Sequence, residues 1–166
     1  MRTIGVLLIV QVVICVAVGA TQSPVTDDAE GYILELPSTA WRAVARPDGV
    51  HTHTDFFYGK EVRLRIRLEL VDENISPEAV GARDEERQLR FLPGFVDNKR
   101  EPFIGKLNGV KLTYEYVSGG KAVAARAYYL KGNNRMIYVL RFTGTRAQLR
   151  QTRVQTDSIA RSFHLK

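Results

Sequence analysis

The sequence predicts an α+β domain built on a central antiparallel sheet, and three observations carry that expectation. Val62, Leu64, Ile66, Leu68 and Leu70 alternate with Glu61, Arg63, Arg65, Arg67 and Glu69. A period of two sustained over that length separates polar from apolar only on a strand, since a helix would scatter the same residues around its axis. The second half of the chain is a meander of β-type segments joined by Asn108-Gly109, Gly119-Gly120 and Gly132-Asn133-Asn134, residues that suit tight reversals. Two segments carry helix-start chemistry instead: Ser76-Pro77-Glu78, and Thr145 followed by Gln148.

The chain opens with a basic Arg2, an apolar run from Ile4 to Val18 broken only by Gly5 and Gln11, and a small-residue exit at Val18-Gly19-Ala20. That layout is a secretory signal peptide over residues 1–20, with the cut expected before Thr21. The run is shorter than the roughly 20 apolar residues that span a bilayer, which favours cleavage over retention as an anchor. The only cysteine, Cys15, lies in this leader. The exported domain is therefore expected to have no thiol, which excludes disulfides, thiolate catalysis and Cys-ligated zinc. Val12-Val13-Ile14 lacks the small residue expected before a lipidated cysteine. The full chain carries a net charge of +6, and loss of Arg2 lowers it by one. Such an excess biases a domain toward anionic surfaces without implying nucleic-acid binding.

The elements follow in order. Residues 21–30 are polar, contain Pro24, and read as a flexible lead-in to a domain over 31–166. Gly31 to Pro37 is a short strand stopped by its proline, and Trp41 to Ala45 is a second. Arg46-Pro47-Asp48-Gly49 is a turn, because proline presets the backbone and glycine permits positive φ. His53 to Tyr58 is a third strand, and Gly59-Lys60 reverses the chain into the alternating fourth. Ser76 caps a helix that runs to about Leu89 and stops before Pro93-Gly94. The meander then places strands near 98–107, 110–118, 121–130 and 135–143. Met136 to Leu140 is apolar on both sides, the mark of a central strand covered on both faces. Ala122 to Ala127 is dominated by small residues, which let a helix approach the sheet closely. The last element is a helix over about 146–161 with Leu149, Thr152, Thr156, Ile159 and Phe163 along one side.

Both ends of the domain resemble the PsbP/DcrB superfamily. Gly31-Tyr32-Ile33-Leu34-Glu35-Leu36-Pro37 followed by Trp41 is similar to that family's opening. Tyr138-Val139-Leu140-Arg141-Phe142, the helix after it, and Ile159-Ala160-Arg161-Ser162-Phe163 are similar to its close. The resemblance spans nearly all of residues 31–165. It implies a twisted antiparallel sheet with helices packed on both faces, the PsbP-like α/β/α sandwich. It also implies an accessory or binding role in place of an enzymatic one, and it brings no site residues with it.

Three groups of residues are candidates for chemistry. Arg63, Arg65 and Arg67 project from one side of their strand roughly 6–7 Å apart, and such a ladder could grip phosphates or carboxylates. The plain alternative is a solvated face neutralised by Glu61, Glu69 and cross-strand acids such as Glu115. Phe57, Tyr114, Tyr116 and Tyr128 are candidates for an aromatic-lined pocket, against the plain reading of strand core. His51 and His53 with Asp55 fall short of a closed ligand set, so no metal is expected. Ser118-Gly119-Gly120 is not a nucleophile elbow, and no P-loop, dinucleotide fingerprint or His-Glu-x-x-His occurs. The sequence thus predicts a periplasmic or secreted, non-enzymatic binding or assembly accessory of the cell envelope, without cofactor. Its expected partner is an envelope protein or an anionic surface, not nucleic acid. Membrane contact is expected only through the leader if that stays uncleaved. The alternative is a small-molecule or lipid-binding protein with an aromatic-lined cavity.

Overall fold

A computed structural model describes residues 23–27, 31–47, 52–133 and 135–166; the expected leader, residues 1–20, lies outside them. The long strands are β3 (Trp41–Pro47), β4 (Thr52–Tyr58), β5 (Val62–Leu70), β6 (Val96–Phe103), β7 (Gly109–Ser118), β8 (Lys121–Lys131) and β9 (Met136–Gly144). They form one antiparallel sheet in the order β3-β4-β5-β9-β8-β7-β6. A small antiparallel sheet joins β1 (Ser23–Asp27), β2 (Tyr32–Leu36) and β10 (His164–Leu165) in the order β1-β2-β10. The helices are α1 (Pro77–Arg87), α2 (Arg146–Gln151) and α3 (Arg153–Ser162), with a 3-10 turn at Leu89–Phe91. The antiparallel α+β architecture expected from the sequence is the one observed.

The sheet's alternation divides the apolar residues into two clusters. Phe56, Leu64, Ile66, Tyr128, Leu140 and Phe142 pack with Tyr32 and Leu34 of β2, Leu149 of α2 and Ile159 of α3. The residues between them, Leu112, Ala125, Ala127, Tyr129, Ile137 and Val139, pack with Val80 of α1 and Leu89. β9 lies fourth of seven in the sheet, and Ile137 to Leu140 are at most 1% exposed, as its two-sided apolar pattern requires. α1 lies over β7 and β8, α2 lies over β8 and β9, and α3 lies against β2. Trp41 ties β3 to α3 by donating its indole N–H to Gln155 Oε1 at 2.8 Å.

Three details differ from expectation. Residues 23–27, expected within a flexible lead-in, are paired along their length with β2. Val25 packs on the core there, and Pro24 is tolerated because β1 is an edge strand. The Asn108-Gly109 reversal is not a two-residue turn. Residues 104–108 form the loop, and Gly109 pairs with both Phe103 and Leu130. Its φ is not positive; glycine is required because a Cβ there would collide with the Tyr129 carbonyl. By contrast Gly119 and Gly120 have φ of 55° and 73°, the mirror-image turn that joins β7 directly to β8. The single helix expected over 146–161 is two helices broken at Thr152, whose hydroxyl donates back to the Gln148 carbonyl at 2.9 Å. Both helix starts are as the sequence predicts: Ser76 accepts from the Ala79 N–H, and Thr145 with Gln148 completes a capping box.

Candidate functional site

The α1 layer covers only part of its side of the sheet. It sits on β7 and β8, and among the described residues no helix packs over β3, β4 and the start of β5 on this side. Strand alternation brings Val44 and Arg46 of β3, Asp55 and Phe57 of β4, and Arg63 and Arg65 of β5 to this open region. The cross-strand register sets Asp55 between Val44 and Arg65, and Phe57 opposite Arg63.

Asp55 is the centre of the arrangement. It is fully buried, yet three cations converge on it: Arg63 Nη2 at 2.5 Å, Arg65 Nε at 3.4 Å and Arg46 Nε at 3.9 Å. Burial pushes its carboxyl up, but the hydrogen bond and charge of Arg63, with Arg65 behind it, outweigh that and hold it below its ordinary value. The side chains of Arg63, Arg65 and Arg46 are nevertheless 39%, 54% and 56% exposed. Arg46 and Arg63 also lie over the Phe57 ring, each 5.9 Å from its centroid. One buried negative charge therefore orders three outward-facing positive ones, and the surface keeps a positive excess in fixed geometry.

Arg67 belongs to a different arrangement. It donates to Asp84 of α1 at 2.7 Å and to Glu69 at 3.1 Å, while the Tyr129 hydroxyl donates to the same Asp84 oxygen at 3.1 Å. This clamp fastens α1 to the sheet. Neither Glu61 nor Glu115 serves the ladder: Glu61 accepts from Gln148 and Glu115 is paired with Arg146. The neutralising acids are Asp55, Asp84 and Glu69. Asp55 was within one residue of sequence reasoning: a two-residue Gly59-Lys60 reversal would set residue 55 opposite 64, whereas the observed loop of residues 59–61 sets it opposite Arg65. Asp84 was not, since helix-to-strand contacts leave no register in sequence.

The aromatic candidates do not share one cavity. Tyr128 is fully buried on the α3 side of the sheet, edge-on to Phe103 and Phe142. Tyr114 is buried on the α1 side against Phe95 and Tyr116, and burial pushes its phenol up to about 12. Phe57 sits under the arginines, four strands from β7 in the sheet order. Tyr114 and Tyr128 are core residues of opposite layers, Tyr116 packs partly buried beside Tyr114, and Phe57 belongs to neither core cluster. His51 and the side chain of His53 lie outside the described residues, and among those described no group of three potential ligands gathers.

No protein-family model matches the chain, and no curated protein matches it. Solved structures do. The chain is similar to cyanobacterial PsbP (CyanoP) from Synechocystis, with a TM-score of 0.62 and 15% identity over 92% of this chain and 97% of that one. It is similar to LpqN of Mycobacterium tuberculosis, a protein involved in cell envelope biogenesis, with a TM-score of 0.57 and 15% identity over 88% and 91% of the two chains. It is also similar to the Ran-binding protein Mog1p of Saccharomyces cerevisiae, with a TM-score of 0.58 and 11% identity over 88% and 96%. The PsbP/DcrB-like fold that the two ends of the sequence resemble is thus the fold of this chain. Among the described residues no helix is long and apolar enough to cross a membrane.

Proposed function

We propose that this chain is an exported, non-enzymatic binding or assembly accessory of the cell envelope, a PsbP-like α/β/α sandwich that recognises an acidic partner through its arginine face. The observation that carries this reading is the fully buried Asp55 holding Arg46, Arg63 and Arg65 in place while their side chains stay partly exposed. Arginine forks fixed in this way suit carboxylates on a protein partner, because the orientation needed for bidentate bonding exists before contact. The secretory leader and the similarity to a protein of envelope biogenesis support the compartment. The absence of a catalytic motif in the sequence supports a binding role.

The test is retention on an immobilised polyglutamate column, followed by capture of partners from the native envelope. Arg65→Glu places a negative charge at the centre of the patch without touching the core. It is expected to lose retention on the column and its partner in the capture. Unchanged behaviour in both would remove the arginine face from the function.

A further inference from the structure

The opposite side of the sheet carries a second basic surface of different construction. The α2–α3 layer lies over β8 and β9 and leaves a groove of about 280 Å³ above β6, β7 and the start of β8. The register lines up Lys99, Thr113 and Arg126 across three neighbouring strands, with Glu101 and Lys111 in the next row. Arg146, Arg150 and Arg153 reach the groove from the helices. Six cationic side chains thus face two carboxylates, Glu101 and Glu115.

Those carboxylates are already engaged. Glu115 takes both prongs of Arg146, at 2.8 and 2.5 Å. Glu101 is shared by Lys99 at 2.7 Å and Lys111 at 3.3 Å. Asp157, at the rim, accepts from Tyr128 and lies 3.9 Å from Lys111 and 4.0 Å from Arg153. The Arg146 hydrogen bond holds Glu115 below the usual carboxylate range, and the Lys99 hydrogen bond does the same for Glu101. Both are therefore spent as counter-charges.

Arg126 and Arg150 are left over. Arg126 is 8% exposed, and among the described residues no carboxylate lies within ion-pair distance of it. Its guanidinium donates to the Thr156 hydroxyl at 2.5 Å and to the Leu149 carbonyl at 3.5 Å. Both are neutral oxygens, and they fix the group's orientation without cancelling its charge. A buried cation without a counter-ion is costly, and an anion that fills the groove removes that cost. Arg150 is exposed at the groove wall and forms no ion pair among the described residues.

We propose that this groove is an oxyanion site which binds a phosphate group, free or as a phosphomonoester, between the buried Arg126 fork and Arg150. Arg126 and Arg150 approach from the sheet and from a helix, which suits a tetrahedral anion with acceptors in several directions. Thr113 adds a small polar side chain on the floor between Lys99 and Arg126. The size of the groove suits a small phosphorylated group in preference to a drug-sized ligand. The site is independent of the arginine face, which lies across the sheet.

Calorimetric titration of the purified protein with inorganic phosphate tests the site, at constant ionic strength set with chloride. Co-sedimentation with phosphatidylcholine vesicles containing phosphatidic acid tests the lipid source of the same chemistry. Saturable phosphate binding is expected, weakened at least about tenfold by Arg150→Glu and by Arg126→Met, and unchanged by Arg65→Glu. Arg150 is exposed, so that variant reads the site even if Arg126→Met folds poorly. Vesicle binding lost in the same two variants assigns the site to a lipid headgroup, and its absence alongside phosphate binding assigns it to a free phosphate compound. No saturable heat, or heat that persists in Arg150→Glu and falls in Arg65→Glu, overturns the proposal.

Discussion

The two sides of the seven-stranded sheet hold arginine in opposite ways. Around Asp55 the buried group is the anion, and the cations ring it from solvent. In the groove the buried group is the cation Arg126, and the carboxylates stand at the walls already paired with other partners. The first arrangement satisfies its buried charge within the fold and turns its cations outward toward a partner, so removing its carboxylate leaves several like charges facing one another. The second is open as a binding device, since its buried charge lacks a partner until something enters. Counting basic residues would rate the two surfaces alike. Asking which sign is buried separates them.

The largest effect should come from Asp55→Asn. Taking one partner from a buried ion cluster is more harmful than the net worth of the pair, because the remaining charges stay where the fold holds them. The arginines can recover some hydration here, so a loss of about 2–3 kcal/mol in urea unfolding is expected. The pH dependence has a definite sign. The folded carboxyl lies below its ordinary value of 3.8. It therefore contributes its full stability above that value and loses it as the pH falls through the folded one. The acid limb of the stability curve should be steeper in the parent than in Asp55→Asn. Parallel acid limbs would mean that Asp55 is not the group that holds this region.

Arg126→Met should cost less, about 1–2 kcal/mol, for two hydrogen bonds to neutral oxygens, partly offset by relief of a desolvated charge. Its acid limb should match the parent's, because arginine does not titrate there. A loss equal to that of Asp55→Asn would break the contrast and make Arg126 a structural strut.

How far the sequence reaches follows the same physics. β5, β9 and both helix starts were legible because their signals are local: alternation, two-sided apolarity and a capping side chain three residues from its acceptor. The arginine ladder was legible as a row of charge, but not its division between Asp55 and Asp84, since one partner comes through strand register and the other through helix packing. Arg126 was hidden inside a run read as small-residue strand. Its signal was present all the same, as a lone arginine among Ala124, Ala125 and Ala127 where every neighbour is buried. A full charge in such a place needs either a partner or a ligand. The break at Thr152 was missed because threonine continues a helix as readily as it ends one, until its hydroxyl takes the Gln148 carbonyl.

The smallest effects lie within the ladder and test whether it is one feature or two. Arg65 is 54% exposed and lies 3.4 Å from a carboxylate that Arg63 holds more closely. Arg65→Ala should change thermal stability by no more than about 0.5 kcal/mol, the range of exposed ion pairs. Arg67 has the same sequence spacing, but its partner Asp84 is 3% exposed and also accepts from Tyr129. Arg67→Ala leaves that buried carboxylate with a phenol in place of a cation and should cost about 1–2 kcal/mol. Binding should order the two oppositely, with Arg65→Ala weakening retention on polyglutamate and Arg67→Ala leaving it nearly intact. Equal thermal losses would make the ladder structurally uniform, and equal losses of retention would extend the binding face onto α1. Either result would redraw the boundary between the clamp and the surface it leaves open.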